Sequence, residues 1–387
     1  MNVLYVAPRY HTNQIPVVKG WLESGNQVMF ISQFQSTNED YSVLEPVVLG
    51  YCRWISRWIH WIAKIRYGRQ YTVEKEYAAK IKVGIPPIGK MKRYLKEFAP
   101  DVVILRERSL YNIPFYQYCK KRNIPCILYN QSPLWDMPGR DDGLGHRILL
   151  SCLPKYRITP VLGKEGQGNI KMKNTFYVPF VIEPHINPME KKYLSSGKIQ
   201  IVCVGRYENR KNLFLLIDVL NELKEKYQLY TTIIGEASDA FQKEYYWKLE
   251  EKVKEYGLEK EVSLLKNLSQ QEIYRTYAKA DIFVLPSTRE RASVSQLEAM
   301  SCGVPVICSD TNGTSCYVID GKNGYLFHDM DKQDLKQKME WMVSDKERLV
   351  QMGRNSYNEV IEKYQFSNYY QSVLRIIAKE NEENHIS

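Results

Sequence analysis

The chain has 387 residues, 44% hydrophobic and 25% charged, with a formal net charge of +10. That is enough apolar material for two ordinary globular domains, and it excludes a chain that is mainly disordered. No apolar run is long enough to cross a bilayer, and the opening MNVLYVAPRY reads as a first strand rather than a secretory leader.

Short apolar runs alternate with helix-like stretches. Strands are expected at Val3–Ala7, Val28–Ser32, Val102–Leu105, Cys126–Tyr129 and Phe176–Pro179. After a Pro- and Ser-containing stretch they resume at Ile199–Val204, Tyr230–Ile234, Val262–Leu265, Ile282–Leu285, Val304–Cys308 and Gly324–Phe327. Uninterrupted apolar runs separated by helices suit parallel strands buried on both faces, hence an α/β fold of two doubly wound parallel sheets. The boundaries predicted are 1–182 for a first domain, 183–198 for a linker, 199–362 for a second domain and 363–387 for a helix returning toward the first. Ligands of such sheets sit at the carboxyl ends of the strands.

The positive charge is concentrated. Residues 50–96 hold twelve Lys/Arg and two acids, a surplus equal to that of the whole chain. Within them, Arg53, Arg57, His60 and Lys64 recur at helical spacing on one side. Trp54, Trp58, Trp61 and Ile65, joined by Ile55, Ile59 and Ile62, form the other. Tryptophans beside cations suit a peripheral site on an anionic membrane surface. The alternative is a helix packing this face on its own domain. No nucleic-acid motif accompanies the patch, so nucleic acid is not an expected partner.

Two motifs carry chemistry. The first is Gly205-Arg206-Tyr207-Glu208-Asn209-Arg210-Lys211, between a strand and an amphipathic helix. Arg206 and Lys211, five residues apart, can clamp a diphosphate. The second runs from Leu285-Pro286 through Glu290 to a helix that begins near Ser293-Val294 and contains Glu298. It places two carboxylates around a helix N-terminus, whose free amides attract phosphate.

Together with Gly235-Glu236, Gly303-Val304-Pro305-Val306 and Asp320-Gly321-Lys322-Asn323-Gly324, these motifs resemble glycosyltransferase family 4 over residues 199–330. The resemblance implies a GT-B fold, two Rossmann-like domains facing a cleft, and a retaining transferase with a UDP- or GDP-linked sugar donor. It assigns Glu290 to the donor sugar, Glu298 to the ribose, Arg206 and Lys211 with Gly205 to the diphosphate, and the Ser293–Val294 backbone to the distal phosphate. Lys266, Asn267 and Leu268 fall where the base is lined. No metal cofactor is implied. The family pattern is altered at Arg291, Ser293 and Cys316, and Pro8–Asn13 stands where a Gly-Gly loop is usual.

On the acceptor side, His11 after the first strand and Asn130-Gln131 after Cys126–Tyr129 are the candidates, with Asp141-Asp142 near Trp135 as a lesser one. The basic first domain suggests a lipid-linked or oligosaccharide acceptor of surface-polysaccharide assembly, at the cytoplasmic face of a membrane. A transferase with a soluble acceptor and a catalytically silent nucleotide-sugar-binding partner are the rival readings. Asp329-Met330-Asp331 reads as the cap of a helix over Lys332–Val343 rather than as a metal site. Eight cysteines without a CxxC pair read as reduced thiols.

Overall fold

The computed structural model describes residues 1–35, 39–107, 109–137, 143, 144, 148 and 151–386; Asp141 and Asp142 lie outside them. The chain forms two units, Met1–Val181 with Phe366–Ser387, and Ile182–Gln365.

In the first unit the strands are β1 (Asn2–Ala7), β2 (Gln27–Ser32), β3 (Val47–Val48), β4 (Val102–Arg106), β5 (Cys126–Tyr129), β6 (Trp135–Asp136), β7 (Arg157–Thr159), β8 (Ile170–Lys171) and β9 (Thr175–Tyr177). Seven pair in parallel in the order β3-β2-β1-β4-β5-β7-β9, while β6 and β8 form a separate antiparallel pair. The alternation along β1 sends Val3 and Tyr5 to one core and Leu4 and Val6 to the other, so both faces of the sheet are covered. The helix Phe366–Ile386 belongs to this unit. Trp21 anchors it: the indole is fully buried, donates to Tyr5 Oη at 2.8 Å and packs edge-on against Phe366, Tyr369 and Tyr370. Gly20 leaves room for this contact, because a Cβ there would meet the Phe366 ring at 2.1 Å.

The second unit contains β10 (Ile199–Val204), β11 (Leu229–Gly235), β12 (Val262–Lys266), β13 (Ile282–Leu285), β14 (Val306–Ser309) and β15 (Gly324–Phe327). All are parallel, in the order β12-β11-β10-β13-β14-β15. In chain order that is 3-2-1-4-5-6, the doubly wound dinucleotide-fold order, and its switch point lies between β10 and β13.

The segment 183–198, expected as a linker, is bonded into the second unit. The Lys191 ammonium is buried and donates to the carbonyls of Tyr277 and Ala278, at 3.1 and 3.0 Å. Tyr193 Oη donates to Gly303 O at 2.6 Å, and the Leu194 amide donates to Asp281 Oδ1 at 2.7 Å. The prolines and serines that suggested a linker give a strap without regular structure, whose Lys191, Tyr193 and Leu194 bond to helix ends and loops of the second unit.

Candidate functional site

The strongest constellation lies at the switch point of the second sheet. After β10 the chain turns through Asn209–Lys211, a single 3-10 turn that sends Arg210 and Lys211 toward the loop following β13. There Lys211 Nζ lies 2.6 Å from Glu290 Oε2, and Arg210 Nη1 meets Glu290 Oε1. The Thr288 amide donates to the Arg210 carbonyl at 2.8 Å, joining the two loops through their backbones. Lys211 and Glu290 are both buried. Burial pushes the Glu290 carboxyl up, but the charges and hydrogen bonds of Lys211 and Arg210 outweigh it and hold the group below its ordinary range.

Glycine makes the approach of Lys211 feasible. A Cβ on Gly205 would lie 2.9 Å from Lys211 Cε, so a side chain there would push the ammonium out. The loop bearing Glu290 is pinned from below in the same way. The Gly313 amide donates to Glu290 O at 2.7 Å, and a Cβ on Gly313 would stand 1.7 Å from Arg291 O. Arg289 takes φ +46° and donates its amide to Thr311 Oγ1, which in turn donates to Asp329 Oδ2 at 2.7 Å. Gly313→Ala is therefore expected to cost about 2 kcal/mol of stability, read by urea unfolding.

The helix Val294–Ser301 begins beside this cluster. Ser293 stands at its N-cap without a capping hydrogen bond from its side chain; its hydroxyl instead meets Ser295 Oγ at 2.8 Å. Ser295 Oγ donates to Val204 O at 3.1 Å, which sets the helix start against the end of β10. The first-turn amides are thus placed at the switch point, where an anion is favoured. Glu298, one helical turn further along, receives a long hydrogen bond from Tyr277 Oη at 3.4 Å. Desolvation raises its carboxyl to about 7, with the Tyr277 bond opposing the rise.

Not every expected residue joins the cluster. Arg206 leaves the loop before the 3-10 turn and pairs with Glu236, Nε to Oε2 at 3.2 Å, with both side chains well exposed. Arg210 occupies the place beside Glu290, and its own second partner is Glu208 at 2.6 Å. Its signal in the sequence was adjacency to Lys211 in the same strand-to-helix loop. Lys266 ends β12, and Asn267 and Leu268 follow it at the same carboxyl edge. Asn267 adopts φ +57°, its amide donates to Gly235 O at 2.9 Å, and its Oδ1 accepts from the Ala237 amide at 3.0 Å. Lys266 Nζ lies 4.5 Å from the Tyr246 ring centre. Asp331 caps the helix Lys332–Ser344 by accepting from the Gln333 and Asp334 amides, which is the capping role expected of it.

In the first unit, His11 Nε2 accepts from Arg9 Nε at 2.9 Å, and its Nδ1 faces Glu39 at 3.1 Å. Asn130 is buried, donates from Nδ2 to Glu107 Oε2, and keeps its Oδ1 without a partner. Gln131 bridges Arg106 Nη2 and Tyr129 Oη, at 3.1 and 3.3 Å.

The helix Arg53–Tyr67 divides differently from the expectation. Ile59 and Ala63 face inward and Ile55 and Ile62 are only partly exposed, whereas Trp54, Trp58 and Trp61 are 82%, 59% and 58% exposed. At about 100° per residue, Ile59 sits a quarter-turn or more from Trp58, so Ile55, Ile59 and Ile62 turn inward, while the tryptophans stay outside with Ile65 and the cations. Arg53, Arg57 and Lys64 share that exposed surface. His60 turns the other way, its Nδ1 2.7 Å from the buried Glu76, which Lys80 also meets at 2.5 Å. No described helix is long and apolar enough to cross a membrane.

Two Rossmann-like units in one chain, each built on a parallel sheet, give the GT-B fold. Residues 187–359, within the second unit, match the family of glycosyl transferases group 1. Among related proteins, the chain is 25% identical over 235 residues to the alpha-1,3/1,6-mannosyltransferase ALG2 of Dictyostelium discoideum, covering 57% of this chain and 54% of that protein. It is 32% identical over 157 residues to the D-inositol 3-phosphate glycosyltransferase of Corynebacterium aurimucosum, covering 40% and 37%. The matched segments thus span about half or less of these relatives. In fold it is similar to Anabaena HepE, crystallised with UDP and glucose, with a TM-score of 0.67 at 14% identity over 98% of this chain and 100% of that one.

Proposed function

We propose that this chain is a retaining glycosyltransferase that moves a sugar from a UDP- or GDP-linked donor to a lipid-linked or surface-polysaccharide acceptor, while resting on an anionic membrane surface. The observation that carries the reading is the buried Glu290 held between Lys211 and Arg210 at the switch point, beside the free amides of Val294–Ser301. In this reading the amides and Lys211 take the diphosphate, Arg206 swings from exposed Glu236 to join them, Glu290 accepts from the donor-sugar hydroxyls and Glu298 from the ribose. The bond from the sugar to the diphosphate breaks, the acceptor oxygen attaches on the same face, and its proton passes to the departing phosphate. Negative charge grows on the diphosphate as it leaves, and its strengthening attraction to these fixed cations and amides lowers the barrier, with no metal needed for it.

The test is release of nucleoside diphosphate from a panel of nucleotide sugars. Turnover that disappears in Glu290→Ala supports the reading; tight donor binding without turnover in the native chain supports a silent binding partner instead.

The pH dependence follows from Glu298. Its folded carboxyl titrates near 7, above its ordinary value, so the neutral form stabilises the fold at low pH and that stability is lost as pH rises from about 4.5 through 7. The charged form is the better acceptor for ribose hydroxyls. Nucleoside diphosphate binding should therefore tighten between pH 6 and 8, and Glu298→Gln should abolish that slope while raising Tm at pH 8 relative to the native chain.

The exposed tryptophans support the membrane part. Trp54→Ser/Trp58→Ser/Trp61→Ser is expected to cut co-sedimentation with anionic liposomes at least tenfold, with donor hydrolysis in solution unchanged. Undiminished sedimentation would remove the membrane from the account and favour a soluble acceptor.

A further inference from the structure

The first unit has a switch point of its own, between β1 and β4, and a cavity opens there. Ala7 closes β1, Arg106 closes β4 and Tyr129 closes β5, and all three line the space, with Val17, Ile104 and Val178 around it. The walls are mainly apolar, and the free volume is about 50 Å³. An apolar cavity of about 150 Å³ admits benzene, so this one takes the end of an alkyl chain rather than a ring.

Two polar groups stand out in the lining. The Asn13 Oδ1 is buried and has no donor. Arg106 is the cation. Its side chain donates to Gln131 Oε1 at 3.1 Å and lies 4.7 Å from the Tyr129 ring centre, and no carboxylate among the described residues pairs with it. A guanidinium held flat by an aromatic ring and an amide keeps N–H groups for a planar or tetrahedral anion. Elsewhere in this edge the charges are already matched: Arg157 faces Glu107, and Arg9 and His11 face Glu39.

We propose that this cavity binds an amphiphile in which a phosphate-like anion adjoins a narrow alkyl or alkenyl chain. The anion meets Arg106, the chain enters between Ala7 and Val17, and a hydroxyl donates to Asn13 Oδ1. The inference names the chemistry of the acceptor, and it rests on the transferase reading for that role alone; the binding itself does not.

The test is calorimetry on the full chain, without donor, using hexyl phosphate, inorganic phosphate and hexyl glucoside. Hexyl phosphate is expected to bind at least tenfold tighter than either comparator. Arg106→Gln should weaken it about tenfold, and Ala7→Leu, which fills the cavity, should bring it down to the affinity of inorganic phosphate. If Ala7→Leu does not fold, Arg106→Gln decides. Equal affinity for hexyl and inorganic phosphate, or an affinity indifferent to Arg106→Gln, overturns the proposal. Nucleoside diphosphate binding measured alongside separates the two readings. Its absence with hexyl phosphate bound sinks the transferase assignment and leaves the cavity; its presence with hexyl phosphate unbound sinks the cavity alone.

Discussion

Lys211→Ala is expected to lower kcat/KM for sugar transfer by about 10²–10³-fold, the loss seen when one preorganised charge-stabilising group is removed from an active site. The ammonium is buried, lies against the strand end that Gly205 leaves bare, and sits 2.6 Å from Glu290. The same change leaves a buried carboxylate with Arg210 as its remaining cation, so stability should also fall, by about 2 kcal/mol. The paired variant Lys211→Met/Glu290→Gln removes both charges and separates the effects. Its Tm should recover toward that of the native chain while turnover stays lost. Recovery of turnover together with Tm would mean that the ion pair is a structural feature and the chemistry lies elsewhere.

Asp281→Ala is expected to destabilise the second unit by about 3 kcal/mol, read as a lower urea midpoint at unchanged m value. Asp281 is 1% exposed and immediately precedes β13, at the amino edge of the sheet. One oxygen accepts from the Leu194 amide at 2.7 Å and the other from the Gln200 amide at 2.8 Å. Removing it orphans both amides and takes a negative charge from beside buried Lys191, whose own ammonium burial already lowers to about 8. Because the site lies at the opposite edge of the sheet, donor binding at temperatures where the variant is folded should be unchanged. Asp281→Asn, which keeps one acceptor, should lose about half as much.

The sequence foretold the long strands well, because uninterrupted apolar runs such as Ile199–Val204 and Ile282–Leu285 have one physical reading between helices. It did not foretell β3 and β7, of two and three residues, which pair at the flank of the first sheet. A segment such as Arg157–Thr159 has too few residues to show a period, and its pairing is decided by the neighbours it meets. The strap 183–198 was hidden for another reason. Lys191 and Tyr193 look like solvated polar residues until the carbonyls of Tyr277, Ala278 and Gly303 are placed beside them.

At the candidate site, the spacing of Glu290, Ser293 and Glu298 and the presence of Lys211 were legible, since a strand–loop–helix unit leaves few places for those groups to go. The pairing of the cations was not. Arg206 and Lys211 looked equivalent as two charges in one loop, and the turn at Asn209–Lys211 assigns the contact with Glu290 to Arg210 and leaves Arg206 with Glu236. Likewise, helical spacing alone grouped Trp58 with Ile59, and only the packing of Ile59 and Ala63 shows which side faces outward.

The central claim is that a diphosphate is gripped where β10 and β13 diverge. A crystal structure of the chain soaked with a nucleoside diphosphate measures this directly. The account predicts the distal phosphate within hydrogen-bond distance of Lys211 Nζ and the amides near Ser293–Val294, with the ribose on Glu298. A diphosphate bound elsewhere, with Lys211 still closed on Glu290, would contradict it.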